Sequence, residues 1–300
     1  MSQIAVPSPW LGWRVALRLG RVSNLPTVWT NVVAGVVLSG GSMDAFPLVL
    51  LSGALSLFYV AGMYLNDAFD RKADARERPE RPIPSGQVRT STVFAIGVSL
   101  LLAGEGVLAI MSYGLEGGQG WPPLVAGVAL AASIVYYDMH HKTNPLSPVV
   151  MGSCRALVYV TAALAVTSSL SNPVLWGAGL MLAYLIGLTY AAKQENLAEV
   201  KNVWPLAFLA LPFAYAATSA LGSPVTALIY IGFLLWVIYA LVHLMWRSRI
   251  NFPLAVGSLL AGISFLDALL ISGHGEVLIG LLAVGAVVLT RSAQRYIPGT

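Results

Sequence analysis

The sequence predicts an all-α polytopic membrane protein, a bundle of nine or ten transmembrane helices. Hydrophobic residues make up 57% of the 300 residues and charged residues only 10%, a composition far outside that of soluble domains. About ten apolar runs approach the roughly 20 residues that a helix needs to cross a bilayer. These runs are continuous, whereas the strands of a membrane barrel alternate in hydrophobicity. A soluble domain and a β-barrel are therefore both excluded.

The apolar runs follow one another along the whole chain. A basic, amphipathic stretch, "WLGWRVALRLGRVSNLPT", precedes them and is predicted to lie on the membrane surface. Because no polar segment is long enough for a soluble domain, we expect one membrane-embedded domain over residues 1–300. The predicted spans lie near residues 24–40, 46–66, 90–112, 122–137, 147–167, 173–192, 203–221, 224–246, 253–271 and 275–291.

Lys and Arg residues set the predicted orientation, because positively charged loops stay cytoplasmic. With ten spans, every basic residue outside the membrane falls on one side, and so do the long polar segments 67–89, 138–144 and 193–202. The opposite connections, such as "GSMDAF" and "SGHGE", contain no Lys or Arg. We expect a multi-pass protein of a bacterial-type inner membrane, in contact with membrane lipid, with its active face and both termini cytoplasmic.

The net charge of +4 follows from this orientation and gives no indication of nucleic-acid binding, so no nucleic-acid partner is expected. The chain has a single cysteine, Cys154, which excludes an internal disulfide.

The segment "LNDAFDRKADARERPERPIPSG", residues 65–86, concentrates charge in an otherwise apolar chain. Its 22 residues hold five of the 13 acidic residues and five of the 17 Lys and Arg residues. Asn66, Asp70 and Asp74 are spaced at i, i+4 and i+8, with Asp67 beside the first. If the second span continues as a helix, three oxygen-bearing side chains share one face. Ordinary solvated ion pairs are the alternative interpretation.

Clustered carboxylates repel one another unless a cation lies between them. Hard oxygen ligands favour Mg²⁺, which takes the rest of its shell from water and substrate phosphates. Arg78 and Arg81 follow in a proline-rich loop, and their guanidinium groups suit phosphate oxygens. The segment therefore predicts a Mg²⁺ and phosphate site at the cytoplasmic mouth of the bundle.

"NDAFDRKAD" followed by "RPERPIPSG" resembles the first aspartate-rich motif, NDxxDxxxD with a trailing RP-x-PSG, of the UbiA superfamily of intramembrane prenyltransferases. "NLPTVWTN" after Arg21, and polar loops after the fourth and sixth spans, extend this resemblance over most of the chain. "ERPERPIPSG", "YYDMHHK" and "MGSCR" look most like the EboC-like branch. The resemblance implies a central cavity and Mg²⁺-dependent transfer of a prenyl group from an isoprenyl diphosphate to a lipophilic or aromatic acceptor, with release of diphosphate.

The resemblance also implies roles for individual residues. Asp70, Asp74 and Lys142 are the expected catalytic residues. Arg155 is singled out independently, since a charge inside the fifth span is costly and usually functional; snorkelling to the surface is the alternative. The expected first-motif metal ligands are Asn66, Asp67, Asp70 and Asp74, and the expected diphosphate contacts are Arg21, Asn31, Arg78, Arg81, Lys142 and Arg155.

The second acidic motif of the family, a DxxxD-like element, falls in "YAAKQENLAEVKN", which contains no aspartate. Glu195 and Glu199 keep an acidic pair at i and i+4 and are predicted to form an altered second metal site. A solvated helix end is the alternative. This departure keeps open a non-catalytic protein of the same fold that binds or transports an isoprenoid or lipid-like metabolite.

Five other acidic or histidine positions in or near the spans have their own interpretations. Asp138, four residues before Lys142, suits either a local ion pair or substrate contact. His140 and His141 are adjacent and cannot point the same way on a helix, so no metal site is expected there.

Glu105 and Asp267 lie in mid-span. Interhelical hydrogen bonds are the favoured interpretation of both residues. They could instead bind the coupling ions of a transporter, but transporter sites lie near the midplane, whereas the charge cluster of residues 65–86 lies at one mouth.

Overall fold

The computed structural model describes residues 12–194, 203–246 and 250–299. This part of the chain is helical and contains no β-strand. Nine of the helices within it are long and apolar enough to cross a membrane. The predicted all-α, multi-pass architecture is therefore confirmed.

The helices follow one another with short connections, as the order of apolar runs predicts. Two short 3-10 helices, Val22–Asn24 and Trp204–Ala210, each lead directly into an α-helix. The α-helices are α1 Trp13–Leu19, α2 Leu25–Leu38, α3 Ala45–Glu77, α4 Thr90–Gly114, α5 Trp121–His140, α6 Ser147–Leu164, α7 Asn172–Gln194, α8 Leu211–Gly222, α9 Pro224–Met245, α10 Phe252–Gly273 and α11 Val277–Gln294.

Two of the predicted spans differ from the structure in length. The first forms only a short apolar helical segment, Val22–Leu38. The second does not end near residue 66 but continues to Glu77. Its last turns carry alanines and straight-chain charged residues, which favour helix, so the acid-bearing segment "NDAFDRKAD" is part of a rigid helix.

Helix α10 lies at the centre of the bundle and is the most enclosed of the candidate spans. It packs against α2, α7, α9 and α11, and it is buried on all sides, as expected of a helix that is apolar all round. Its start is capped by Asn251, whose side-chain oxygen accepts a hydrogen bond from the backbone N–H of Leu254.

A glycine allows α2 and α6 to lie in close contact beside this centre. A Cβ at Gly35 would lie 2.7 Å from the backbone oxygen of Tyr159, so only glycine permits this approach. Small residues at helix interfaces are a general feature of membrane bundles. The close approach brings the polar side chains of α2 within hydrogen-bonding reach of those of α6.

Candidate functional site

A cavity of about 310 Å³ lies among α2, α3, α5, α6, α7 and α10. One end is charged and the other is apolar, so the cavity suits an amphiphile with an ionic head and an oily tail. The apolar wall includes Val28, Leu55, Phe58, Leu130, Ile134, Val158, Leu185, Leu188, Leu260 and Ile263. The charged end includes Asn66, Asp70, Asp74, Glu77, Arg78, Arg81, His141, Lys142 and Lys193.

The acidic face of α3 forms one side of the charged end. Asn66, Asp70 and Asp74 all line the cavity, and all three are buried. Because α3 is continuous through Glu77, the spacing of four residues stacks these side chains on one face. The face predicted from the sequence is therefore confirmed, and it presents an amide and two carboxylates to the cavity.

The loop after α3 folds back over this face. Its backbone turns twice, with hydrogen bonds from Arg81 N–H to Arg78 O (3.1 Å) and from Ser85 N–H to Arg81 O (3.0 Å). Gly86 then adopts a positive φ of 75°, which glycine tolerates at no steric cost. Arg78 and Arg81 thereby come to line the cavity.

Arg81 joins two carboxylates of α3. Its Nη1 lies 2.9 Å from Asp74 Oδ2 and 3.3 Å from Asp67 Oδ1. Burial lowers the pKa of Arg81, but the carboxylates of Asp67 and Asp74 outweigh burial, and the net pKa is raised above its ordinary value. Arg81 therefore remains a cation at the mouth.

Asp67 lies away from the cavity, between two guanidinium groups. Its Oδ1 lies 3.2 Å from Arg21 Nη2 and 3.3 Å from Arg81 Nη1, and Asp67 does not line the cavity. Arg21 has φ of 41°, in the left-handed region that non-glycine residues adopt rarely and often at functional sites. The expected metal ligand Asp67 is thus placed to hold Arg21 and Arg81 in position.

Asp70 is covered by the end of α5. His141 Nε2 lies 3.3 Å and Lys142 Nζ 3.6 Å from Asp70 Oδ2, and Lys142 also lies 3.6 Å from Glu77 Oε2. The ring of His141 stacks on Tyr137 with centroids 4.9 Å apart. Lys142 was expected at the site, whereas His141 was not. Its position directly before Lys142 was the available signal.

Asp138 contacts Asn66 and not Lys142. Asn66 Nδ2 donates to Asp138 Oδ1 at 3.1 Å, and Asp138 Oδ2 is buried without a hydrogen-bond partner among the described residues. Asp138 also lines the cavity. Of the two interpretations left open by the sequence, the structure therefore favours a position at the site over a local ion pair.

The end of α7 contributes a lysine that the sequence did not single out. Lys193 lines the cavity and donates to Ser147 Oγ at 2.5 Å. The residues of the predicted second metal site, Glu195 and Glu199, lie outside the described residues.

A second polar cluster lies deeper, at the contact of α2 and α6. Arg155 Nη1 donates to Asn31 Oδ1 at 2.8 Å and Arg155 Nη2 to Thr27 Oγ1 at 3.0 Å. The guanidinium lies over the ring of Tyr59, 5.4 Å from its centroid. Arg155 lines the cavity but Asn31 does not. Asn31 was expected to contact diphosphate, and its burial between helices separates it from the cavity.

Asp267 of α10 completes this inner cluster. Its Oδ2 accepts from Asn31 Nδ2 at 2.7 Å, and its Oδ1 accepts a short hydrogen bond from the Tyr159 hydroxyl. The interhelical hydrogen bonds expected for Asp267 are thus confirmed. Glu105 differs: its Oε2 is buried without a hydrogen-bond partner in the described part of the chain, so the expected interhelical bond is not formed.

The charged end offers oxygen ligands of the kind that Mg²⁺ prefers. Within residues 12–194, 203–246 and 250–299, no three His, Cys, Asp or Glu side chains form a ready metal cluster. Asp70 and Asp74 pair instead with Lys142 and Arg81. One amide and two carboxylates on one helix face fit a Mg²⁺ ion that takes its remaining ligands from water and phosphate.

Comparison with known proteins gives a consistent relationship. The model of the UbiA prenyltransferase family matches residues 27–269. Digeranylgeranylglyceryl phosphate synthase of Methanopyrus kandleri is 29% identical over 216 residues, 69% of this chain and 72% of that protein. The match to the enzyme of the same name from Methanoregula boonei, also 29% identical, covers 45% of each chain. Chlorophyll synthase of Oryza sativa subsp. japonica is 28% identical over 42% of this chain and 34% of that protein.

Solved structures show the same fold. A UbiA homologue from Archaeoglobus fulgidus bound to GPP and Mg²⁺ has a TM-score of 0.51 and 13% identity, covering 93% of this chain and 99% of that chain. A digeranylgeranylglyceryl phosphate synthase structure has a TM-score of 0.51 and 18% identity, covering 93% and 94%. The assignment to the EboC-like branch stays a prediction.

Proposed function

Because this chain belongs to the UbiA prenyltransferase family, we propose that it transfers the prenyl group of an isoprenyl diphosphate, held with Mg²⁺ at the charged end of the cavity, to a lipophilic or aromatic acceptor. The chain is a multi-pass membrane prenyltransferase. One observation carries the proposal that the donor binds here with Mg²⁺. A single cavity has an apolar wall and a mouth where paired acidic and basic side chains are accessible from the cavity.

Asn66, Asp70 and Asp74 would hold the metal ion, because they line the cavity and recur every four residues on one face of α3. When bound, Mg²⁺ neutralises the charge of the departing diphosphate. Asp138 accepts the Nδ2 proton of Asn66 in a hydrogen bond and so directs the amide oxygen of Asn66 away from itself. We assign Asp138 the role of orienting this ligand.

Arg81 and Lys142 have a double role at the mouth. Without substrate they neutralise Asp74 and Asp70. With the carboxylates holding a metal ion, Arg81 and Lys142 would be free to donate to phosphate oxygens, together with Arg78, which also lines the cavity. Arg21 and Asp67 keep Arg81 near this position. Charge is stabilised where it develops during departure of the diphosphate.

The apolar wall receives the prenyl chain and excludes water from the allylic cation. Phe58, Tyr59 and Tyr137 line the same cavity, and aromatic faces stabilise a cation lying over them. The bond between the prenyl C1 and the diphosphate oxygen breaks, and the electron pair leaves with diphosphate. The nucleophilic oxygen or carbon of the acceptor bonds to C1 and loses its proton to the departing diphosphate.

Relatives support the donor class more closely than the acceptor. A homologue of the same fold binds GPP and Mg²⁺, and relatives are named for synthesis of digeranylgeranylglyceryl phosphate and of chlorophyll. These two products require different acceptors, so we propose a lipophilic or aromatic acceptor as a class.

The remaining parts of the proposal concern topology and the second acidic pair. Counting the short segment Val22–Leu38 as a tenth crossing, we propose one domain over residues 1–300, a cytoplasmic active face with both termini on that side, and a bacterial-type inner membrane. The one-sided distribution of Lys and Arg supports this orientation. We also propose that Glu195 and Glu199 bind a second metal ion, because they retain the spacing of an acidic pair after α7.

The proposed reaction is tested with purified protein, Mg²⁺ and prenyl diphosphates of C5 to C20, with a membrane extract as the acceptor source. We expect diphosphate release and a prenylated product detected by mass spectrometry, both abolished by EDTA. Mg²⁺-dependent binding of the diphosphates without release or product would contradict catalysis and support the non-catalytic binding alternative.

A further inference from the structure

We propose that Arg155 forms a separate acceptor site, deeper in the cavity than the diphosphate, which binds an oxyanion of the acceptor. The oxyanion is a carboxylate or a phosphate. This inference rests on the proposed function, and it reassigns Arg155 from the diphosphate to the acceptor.

The position of Arg155 separates it from the charged mouth. Its guanidinium lies over Tyr59, which precedes Asn66 by 7 residues and Asp70 by 11 residues on the continuous helix α3, about 10 Å and about 16 Å along the helix axis at 1.5 Å per residue. None of the carboxylates at the mouth forms a described ion pair with Arg155; those of Asp67, Asp70 and Asp74 contact other cations. Arg155 and the diphosphate site are therefore two distinct positive centres in one cavity.

The guanidinium has donors left for a ligand. It carries five N–H groups, and Thr27 and Asn31 account for two hydrogen bonds. Both of these partners are neutral, while Arg155 is buried and lines the cavity. A purely apolar prenyl chain at this depth would leave the remaining N–H groups unpaired, which is costly in a buried site. A ligand oxyanion would satisfy them with charge-assisted hydrogen bonds.

The surrounding cluster holds the guanidinium in a fixed direction. Asp267 accepts from Asn31 Nδ2, so the Oδ1 of Asn31 faces Arg155. Tyr159 donates to the other oxygen of Asp267. Asn31 and Asp267 are fully buried and act as positioning residues, because they reach the cavity only through Arg155.

The ligand of Arg155 is assigned to the acceptor because the donor is already accounted for. The mouth supplies Arg78, Arg81 and Lys142 for the diphosphate, and the donor has no second anionic group. An acceptor with its oxyanion at Arg155 extends toward the mouth, where its nucleophilic atom meets the prenyl C1.

The test uses three aromatic probes that differ in one group: 4-butylbenzoate, 4-butylphenyl phosphate and the neutral 4-butylbenzamide. Their binding to the full chain in detergent is measured by isothermal titration calorimetry, without Mg²⁺ or donor. We expect at least one anionic probe to bind roughly tenfold or more tightly than the amide. The tighter of the two anions identifies a carboxylate or a phosphate. Equal binding of all three probes to the wild-type protein overturns the inference.

Arg155→Met is expected to abolish the preference for the anion, and Arg155→Lys to retain part of it. The matched control is Arg78→Met, which removes another cavity cation and should keep the preference. If Arg155→Met does not fold, Arg155→Lys and the wild-type probe series still decide the question. An unchanged preference in a folded Arg155 variant contradicts the assignment.

Failure of this inference is distinguishable from failure of the proposed function. Mg²⁺-dependent binding of geranyl S-thiolodiphosphate, an unreactive donor analogue, is measured on the same samples. Arg155→Met should retain it, because Arg155 lies outside the mouth. Retained donor binding without an anion preference overturns only the acceptor site. Loss of donor binding in Arg155→Met places Arg155 at the diphosphate and also overturns the acceptor site.

Discussion

The mouth of the cavity and the inner cluster around Arg155 are both built from charged and polar side chains, but they differ in how those side chains are neutralised. At the mouth, carboxylates pair directly with long basic side chains, and the Lys142 side chain is 37% exposed. In the inner cluster, Arg155 and Asp267 are linked through the amide of Asn31, and Asp267 is fully buried.

This difference separates exchangeable contacts from fixed ones. The mouth acids are buried but line the cavity, and their partners Arg81 and Lys142 are partly exposed, so the acids can release these basic partners to a metal ion and a diphosphate that enter the cavity. A buried charged cluster is costly to break, so the inner cluster keeps α2, α6 and α10 in register. Substitutions at the mouth should therefore affect activity, and substitutions of the fully buried Asn31 and Asp267 in the inner cluster should affect stability.

The largest effect is expected from Asp70→Asn. This change removes a carboxylate from the proposed metal site while keeping its shape, and turnover should fall roughly 100-fold or more with an unchanged thermal midpoint in detergent. Turnover is measured as Mg²⁺-dependent diphosphate release. The matched control is Glu80→Gln, an exposed acid of the following loop, which should retain activity. Similar activity in both variants would show that Asp70 has no special role.

The next effect concerns stability and is expected from Asp267→Asn. Loss of this buried charge leaves Arg155 without its indirect counter-charge, and the free energy of unfolding should fall by about 3 kcal/mol. Unfolding in mixed detergent micelles measures the loss. Ser264→Ala is the control, because it removes one neutral hydrogen bond between the same two helices, Thr30 to Ser264 at 3.1 Å, worth about 1 kcal/mol. Equal losses in the two variants would contradict a special role for the buried charge.

A smaller effect is expected from Asp138→Leu, which removes the acceptor that orients Asn66. The affinity for Mn²⁺, used as a probe for Mg²⁺ by electron paramagnetic resonance, should fall about tenfold in the presence of the donor analogue. Asp138→Asn retains an oxygen that can accept from Asn66 and should lose less. If both variants bind Mn²⁺ as the wild type does, Asp138 does not orient the metal site.

The smallest effect is expected from Arg81→Lys. Arg81 contacts Asp67 and Asp74 through Nη1, which leaves Nε and Nη2 for phosphate oxygens. A lysine ammonium offers no such second group, so the KM for the donor should rise about tenfold while kcat changes less. Arg76→Lys, on the exposed side of α3, is the control and should leave the KM unchanged. A pure loss of kcat would mean that Arg81 acts on the chemical step and not on donor binding.

The sequence predicted the helical fold and one face of the site because both depend on local spacing. Apolar runs of membrane-spanning length gave the helices, and the four-residue spacing of Asn66, Asp70 and Asp74 gave their common face. The basic partners of these acids were harder to predict from the sequence, since Arg21 and Lys142 reach the acids only through the packing of α3 against other elements.

The inner cluster shows the same limit more strongly. Asp267 is more than 100 residues from Arg155 in the chain, and only the close approach of α2 and α6 at Gly35 reveals that Asn31 connects them. The cost of a charge in mid-span predicted that Asp267 has a partner, but not which residue it is. Conversely, the same rule failed for Glu105, whose buried oxygen has no described partner.

The exchange of mouth ion pairs for metal and diphosphate is tested most directly by Mn²⁺ electron paramagnetic resonance on the wild type and Asp70→Asn, with and without geranyl S-thiolodiphosphate. We expect tight Mn²⁺ binding in the wild type only when the analogue is present, and its loss in Asp70→Asn. Mn²⁺ binding of equal strength in both proteins, or in the wild type without the analogue, would contradict a metal site built jointly by α3 and the donor diphosphate.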